Sequence, residues 1–277
     1  MTLEQSYRQA VELLEKHGVP EAALDAWYLL EHVTGLGRAE YLLRRSEQLP
    51  GQEAEQYEAL VEQRAERIPL QYLTGEQEFM GFCFRVNRFT LIPRQDTEVL
   101  TEQARRLAEG KRVLDLCTGT GCIIISLAKL CHLKEADGAD LSEEAVALAR
   151  ENAEQLGAGV RFFCGDLFAP VGTRVYDVIV SNPPYIRSEV IPTLQPEVRE
   201  HEPVSALDGD RDGLLFYRRI IEKAPEHLSD GGSLLFEIGC EQAEEVSELL
   251  RHAGFERLRI VKDYAGLDRV VIGEWRK

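Results

Sequence analysis

The stretch Ser181-Asn182-Pro183-Pro184-Tyr185 combines an amide, two prolines and an aromatic ring. It follows Tyr176-Asp177-Val178-Ile179-Val180, a short apolar run that reads as a buried strand. The turn therefore falls at the carboxyl end of a strand, where open α/β sheets hold their ligands. Proline fixes its own φ and pushes the residue before it toward extended geometry, so Pro183 and Pro184 make a stiff turn able to aim carbonyls. Asn182 brings a side-chain carbonyl acceptor and an NH2 donor, and Pro183 adds a backbone carbonyl, so two acceptors can grip one planar NH2 group. Tyr185 would stack on the same planar group. Such a grip suits a nitrogen nucleophile that is not basic, either a side-chain amide or an exocyclic base amine. Two acceptors pulling on its N–H bonds localise the delocalised lone pair toward an electrophile. Taken alone, the same residues also describe a plain proline turn after a strand.

The elements that must position this turn begin at Lys111. Val113-Leu114-Asp115-Leu116 reads as a buried strand, followed by the glycine-rich turn Cys117-Thr118-Gly119-Thr120-Gly121 and an apolar helix from Cys122 to Leu130. Strand, glycine turn and helix in that order form the first unit of a nucleotide-type fold, the glycines letting backbone approach a ligand closely. Asp140 follows a weaker strand, 19 residues beyond Gly121, where such folds carry an acid for ribose hydroxyls. Ser142-Glu143-Glu144 caps a helix to Leu156. A third strand, Val160 to Cys164, leads to Asp166 and Phe168, which read either as an acid for an adenine amine and a ring to stack on the base or as a turn acid and a core phenylalanine. The fourth strand carries Asn182. Beyond it, Ile186 to Asp212 reads as a substrate-side loop, Gly213 to Leu228 as a helix, Ser233 to Ile238 as a strand and Glu241 to Ala253 as a helix. Glu256 to Val261 and Arg269 to Glu274 form a last, antiparallel pair. The pattern predicts a doubly wound α/β sheet.

Residues 1–70 read as helices only: Glu4 to Lys16, Pro20 to about Gly35, Arg38 to Arg45 and Gln52 to about Arg67. They suggest a small docking domain. Gln71-Tyr72-Leu73-Thr74-Gly75-Glu76 and Phe79 to Val86 alternate between glycine breaks, which predicts a β-hairpin linker over 71–93. A domain of residues 94–277 follows, with Asp96 or Thr97 capping its first helix, and with Arg85, Arg88 and Arg94 available to a carboxylate or phosphate.

The chain has 277 residues, 44% hydrophobic and 29% charged, with a formal charge of −16. That balance argues against a general nucleic-acid binder, which needs surplus Lys and Arg. No apolar run reaches the length of a membrane span and the start lacks a signal-peptide pattern, so a cytoplasmic protein is expected. The six cysteines are scattered without metal-ligand spacing and read as reduced thiols; no metal is implied. There is no G-x-x-x-x-G-K-[ST] loop, and Ile124 stands where a dinucleotide fold needs its third glycine. A smaller adenosine ligand fits better, S-adenosylmethionine foremost.

At this point the chain resembles the class I S-adenosylmethionine-dependent methyltransferases, with their seven-stranded sheet, and among them the HemK/PrmC family. The resemblance rests on Pro69 to Gly75, Leu91-Ile92-Pro93-Arg94, Leu114 to Leu116 with Thr118 to Gly121, Ser181 to Ile186, Glu202-Pro203, Asp212-Gly213-Leu214, Glu237-Ile238-Gly239 and Asp268 to Val271. Asn-Pro-Pro-Tyr by itself is shared with adenine-N6 methyltransferases; the helical N-terminal domain and Leu-Ile-Pro-Arg are not. The resemblance implies methyl transfer from S-adenosylmethionine, giving S-adenosylhomocysteine, to the glutamine amide of the Gly-Gly-Gln motif of bacterial peptide-chain release factors. It implies that Cys117, Thr118, Gly119, Thr120, Gly121 and Asp140 hold the methionine part and ribose of the cofactor. Asp166 and Phe168 would lie at its adenine, and Asn182 would touch both cofactor and substrate. Asn182, Pro183, Pro184 and Tyr185 would hold the glutamine, with Asn182, Pro183 and Tyr185 serving the chemistry. A monomer without a nucleic-acid substrate is expected. The chain departs from the family at Cys117, usually glycine, and at Gln95-Asp96, where Pro-Glu is usual.

Overall fold

The computed structural model describes Met1–Lys277 as two compact units, one of Met1–Glu76 with Gln195–His201, the other of Gln77–Leu194 with Glu202–Lys277. The first unit is helical: α1 (Leu3–Lys16), α2 (Ala22–Thr34), α3 (Arg38–Arg44), α4 (Gly51–Ala65) and α5 (Leu70–Thr74). Thr2 and Gln5 form a reciprocal capping box at the start of α1, and Gly35, at φ 67°, ends α2 in the left-handed region that favours glycine. Leu14, Trp27, Leu30 and Tyr57 meet in its core. Inside that core Arg64 of α4 donates from Nε to Asp25 of α2 at 2.7 Å. Arg64 Nη2 also donates to Glu197 at 2.8 Å, and Arg67 grips the same carboxylate with two bonds of 2.6 Å. Glu197 lies on α9 (Pro196–His201), so the middle of the segment expected as a loop folds as part of the helical unit.

The expectation of a strand at Gln71–Glu76 is corrected: Leu70–Thr74 is a helical turn ended by Gly75 at φ 78°. Its alternation is too short to outvote packing, since Leu70 and Leu73 turn onto the helical core. The hairpin is shorter, β1 (Glu76–Phe79) and β2 (Phe82–Arg85), joined through Met80 and Gly81, both at positive φ. It is built into the second unit. Phe79 and Phe84 enter that unit's core, and buried Asn152 accepts from the Arg85 N–H at 2.8 Å and donates to the Arg85 and Thr120 carbonyls.

The second unit is a doubly wound sheet of β3 (Arg112–Leu116), β4 (Glu135–Asp140), β5 (Arg161–Cys164), β6 (Tyr176–Ser181), β7 (Leu228–Glu237), β8 (Glu256–Lys262) and β9 (Asp268–Glu274). Its order is β5-β4-β3-β6-β7-β9-β8, parallel from β5 to β7. The final pair is antiparallel as expected, with β9 inserted between β7 and the edge strand β8. Alternate side chains serve two cores. Val113, Val178 and Leu235 face α6 (Gln95–Ala108), α7 (Cys122–Leu130) and α8 (Glu143–Leu156), while Leu114, Ile179 and Phe236 face α10 (Leu215–His227) and α11 (Ala243–His252). Burial on both faces is why these strands read as continuous apolar runs. No helix is long and apolar enough to cross a membrane.

Replacing Arg64 by Ala strips Asp25, itself 7% exposed, of its counter-charge. Unfolding in denaturant is expected to show a loss of about 3–5 kcal/mol, the usual cost of orphaning a buried charge.

Candidate active site

Strand β3 runs on to β4 on one side and has β6 on the other, so the chain order reverses between β3 and β6. Crevices at such switch points bind ligands. Leu116 pairs with Ser181 at the ends of these strands, and the Ser181 hydroxyl donates to the Leu116 carbonyl at 2.8 Å. The two loops that follow, Cys117–Gly121 and Asn182–Tyr185, therefore emerge side by side. A cavity of about 300 Å³ opens there, with Thr118, Gly119, Asp140, Asn182 and Pro184 in its wall.

The first loop turns sharply because Cys117, Gly119 and Gly121 all take left-handed φ, at 58°, 54° and 78°. Glycine is free there; Cys117 carries a strain of roughly 1 kcal/mol that glycine would not. Burial pushes the Cys117 thiol well above its usual range, which favours the protonated thiol. A Cβ on Gly121 would stand 2.8 Å from Ile125 Cδ1, whereas one on Gly119 would meet only open space. The Thr118 hydroxyl donates to Asp115 at 2.6 Å. Burial pushes Asp115 up to about 7, and its Oδ1 has no partner. Asp140 accepts from the Gly119 N–H at 2.8 Å and the Ser142 N–H at 3.0 Å, one on each oxygen. Burial raises its pKa, against those backbone donors.

In the second loop, Asn182 Nδ2 donates to Thr97 Oγ1 at 3.3 Å. Thr97, expected as a helix cap, is instead a buried member of α6 that lines the cavity, and no side chain caps that helix. The Tyr185 hydroxyl donates to Glu237 Oε1 at 3.2 Å, and its carbonyl accepts from Gln242 Nε2 at 3.1 Å. Glu237 ends β7 fully buried, and burial pushes it up to about 7. Gly213 lies so close that a Cβ there would collide with the Tyr185 carbonyl oxygen, and one on Gly209 would stand 2.8 Å from the Tyr185 Cα.

Of the residues expected at the site, Cys117, Thr118, Gly119, Thr120, Asp140, Asp166, Asn182 and Pro184 line the cavity. Asp166 does so while accepting from Arg219 at 2.5 Å. Gly121, Pro183, Tyr185 and Phe168 stand outside the wall. Phe168 does not present its ring to the cavity: it stacks on His227, centroids 4.4 Å apart, and Leu167 lines the wall in its place. Tyr185 lies beside its core neighbours with the hydroxyl on Glu237 rather than in the wall. Arg94 serves a carboxylate of the chain itself, that of buried Glu202. Sequence reasoning gave no cavity role to Thr97, Phe89, Leu141 or Phe216. Leu141 and Phe89 stand out only in the structure, as large apolar side chains left 65% and 41% exposed.

The cavity fits S-adenosylmethionine on its own chemistry. Asp140 offers carboxylate lone pairs beyond its two backbone bonds, as a vicinal diol requires, and Gly119 leaves open the space a side chain would fill. Fold and cavity together are those of a class I S-adenosylmethionine-dependent methyltransferase. A methyltransferase from Pyrococcus furiosus, 19% identical, shares the fold over 70% of this chain and 89% of its own, with a TM-score of 0.53. Residues 5–75 match the PrmC N-terminal domain and residues 95–194 the Methyltransferase small domain. The release factor glutamine methyltransferase of Geobacter sulfurreducens is 46% identical over 94% of this chain and 92% of its own length. That of Cereibacter sphaeroides is 44% identical over 95% of each. The chain belongs to the release factor glutamine methyltransferase family.

Replacing Gly213 by Ala drives a Cβ into the Tyr185 carbonyl at a position of φ 73°. The expected result is a displaced turn, with methyl transfer down roughly tenfold or more and S-adenosylmethionine affinity, measured by calorimetry, within about twofold of native.

Proposed function

We propose that this enzyme methylates the side-chain amide nitrogen of the glutamine in the Gly-Gly-Gln motif of bacterial peptide-chain release factors. When bound, S-adenosylmethionine supplies a sulfonium-activated methyl group open to in-line displacement. The observation that carries the reading is the Asn182–Thr97 hydrogen bond. It commits the Asn182 NH2 and leaves Oδ1 as the acceptor, so that Oδ1 and the Pro183 carbonyl can take the two N–H groups of a substrate amide. Two acceptors hold the amide plane, localise its lone pair and stabilise the positive charge that grows on nitrogen. Positioning alone can supply up to about 7–11 kcal/mol of barrier lowering. No strong base is needed, because an N-methylated, still protonated amide is very acidic. Asp140 would hold the ribose hydroxyls, and the Cys117–Gly121 loop would hold the methionine part. Asp166 and Leu167, both in the cavity wall, would border the adenine.

The same reading makes the protein a cytoplasmic monomer acting on a protein. A formal charge of −16 supports a protein over a nucleic-acid substrate, since phosphate binding asks for the opposite balance.

Methyl transfer from labelled S-adenosylmethionine to a purified release factor tests the assignment, beside duplex DNA and a factor lacking the Gly-Gly-Gln glutamine. Label is expected on the intact factor alone. Asn182→Ala is expected to bind S-adenosylmethionine as the native enzyme does and to lose roughly 10²–10³-fold in kcat, the scale of removing one preorganised polar contact to developing charge. Unchanged turnover would reject the role given to Asn182.

A further inference from the structure

We propose that Gln242 is a positioning residue for methyl transfer, whose side-chain amide fixes the Asn182–Tyr185 turn against the ends of two other segments. The inference rests on the reading of Asn182 given above and adds what holds its turn in place. Three main-chain groups converge on this amide. The Gly239 N–H donates to Oε1 at 2.9 Å, and Nε2 donates to the carbonyls of Tyr185 at 3.1 Å and Gly213 at 3.3 Å. Among side chains, only a primary amide presents a carbonyl acceptor beside a pair of N–H donors, so these partners match it group for group. The Gly239 donor also settles which way the amide points. At 7% exposure Gln242 is buried, where an unpaired main-chain group is costly.

The surroundings are shaped to this amide. A Cβ on Gly213 would stand 2.6 Å from Nε2, and one on Gly239 would stand 2.9 Å from Oε1. Two motifs of the sequence thereby gain a common purpose, since Asp212-Gly213-Leu214 and Glu237-Ile238-Gly239 each supply one main-chain bond and the room for the side chain that takes it. Gln242 is itself firmly held. It stands at the start of α11, its N–H donates to the Gly239 carbonyl at 2.9 Å, and its carbonyl accepts from Val246 at 3.0 Å.

Gln242 is absent from the cavity wall, so it reaches the chemistry through the turn and not by touching substrate. Tyr185 closes the turn and Gly213 follows the long segment 186–212, so a single NH2 ties the chain where that segment leaves and where it returns. Pro183 and Pro184 have fixed φ, and the turn therefore moves as a stiff unit. A displacement of the Tyr185 carbonyl is passed to the Pro183 carbonyl and to Asn182. Misplacement by about 1 Å at a reacting centre can cost roughly 10²-fold in rate.

The test is kcat for labelled methyl transfer to a purified release factor, with KM for the factor and S-adenosylmethionine affinity by calorimetry. It compares the native enzyme, Q242M, Q242E, N182A and the double variant Q242M/N182A, each below its melting transition. Q242M fills the space without the three bonds, and Q242E keeps the shape while turning an oxygen on two carbonyls. Each should lose roughly tenfold or more in kcat, with KM and S-adenosylmethionine affinity within about threefold of native. Should Q242M fail to fold, Q242E carries the same comparison. Because Gln242 and Asn182 act on one turn, the double variant should lose at least about threefold less than the product of the single losses. Native kcat in either folded variant, or single losses that multiply in full, would overturn the inference while an inactive N182A left the function intact. An N182A enzyme with native turnover would bring down the reading of Asn182 and this inference with it.

Discussion

The parallel pairing of β3 with β6 is the constraint on which the site depends. Because Leu116 and Ser181 stand opposite each other and are tied by the Ser181 hydroxyl, the glycine turn and the Asn182 turn leave the sheet together. Neither loop is a site alone. The first supplies Asp140-anchored backbone and space; the second supplies an amide whose NH2 is turned onto Thr97. The second is then clamped from behind, by Gln242 on the Tyr185 carbonyl and by two glycines whose missing Cβ atoms let the chain pass within contact of it.

The carboxylates of the molecule divide by what surrounds them. Asp177, gripped by both arms of the Arg112 guanidinium, is held well below the usual carboxylate range, and its work is structural. Asp115 and Glu237, near the crevice, are pushed up to about 7 by burial, and each keeps one oxygen without a partner. Unsaturated, perturbed acids of this kind gather where a protein does chemistry rather than where it merely packs. Their position at the ends of β3 and β7 brings them there.

The long segment after the Asn182 turn shows how one stretch can be divided. Its base is closed by Ile186, which exchanges main-chain hydrogen bonds with Leu207 and Gly209, and Ser188 donates to Asp208. Ser205 and Ala206 line the cavity, and Glu202 is held by Arg94. Gln195–His201 instead folds with the helical unit, where Arg64 and Arg67 share Glu197. Proline and glutamate content suggested only an irregular loop; its ion pairs assign its parts.

What the sequence determined by itself was whatever rests on local periodicity and backbone chemistry. The apolar runs, the glycine turn, the Ser142 cap and the proline turn define a doubly wound sheet and place Asn182 and Asp140 at strand ends, because strand burial and turn geometry are written within a few residues. Motif resemblance carried the reading on to the family. Tertiary structure alone decided which neighbours those residues meet. Thr97 reads locally as a cap but is drawn into the site by Asn182, 85 residues away. Phe168 reads as a stacking ring but finds His227, and Gln71–Glu76 reads as a strand but is claimed by a helical core. In each case a packing partner distant in sequence outweighed a weak local preference, and no local pattern records such a partner.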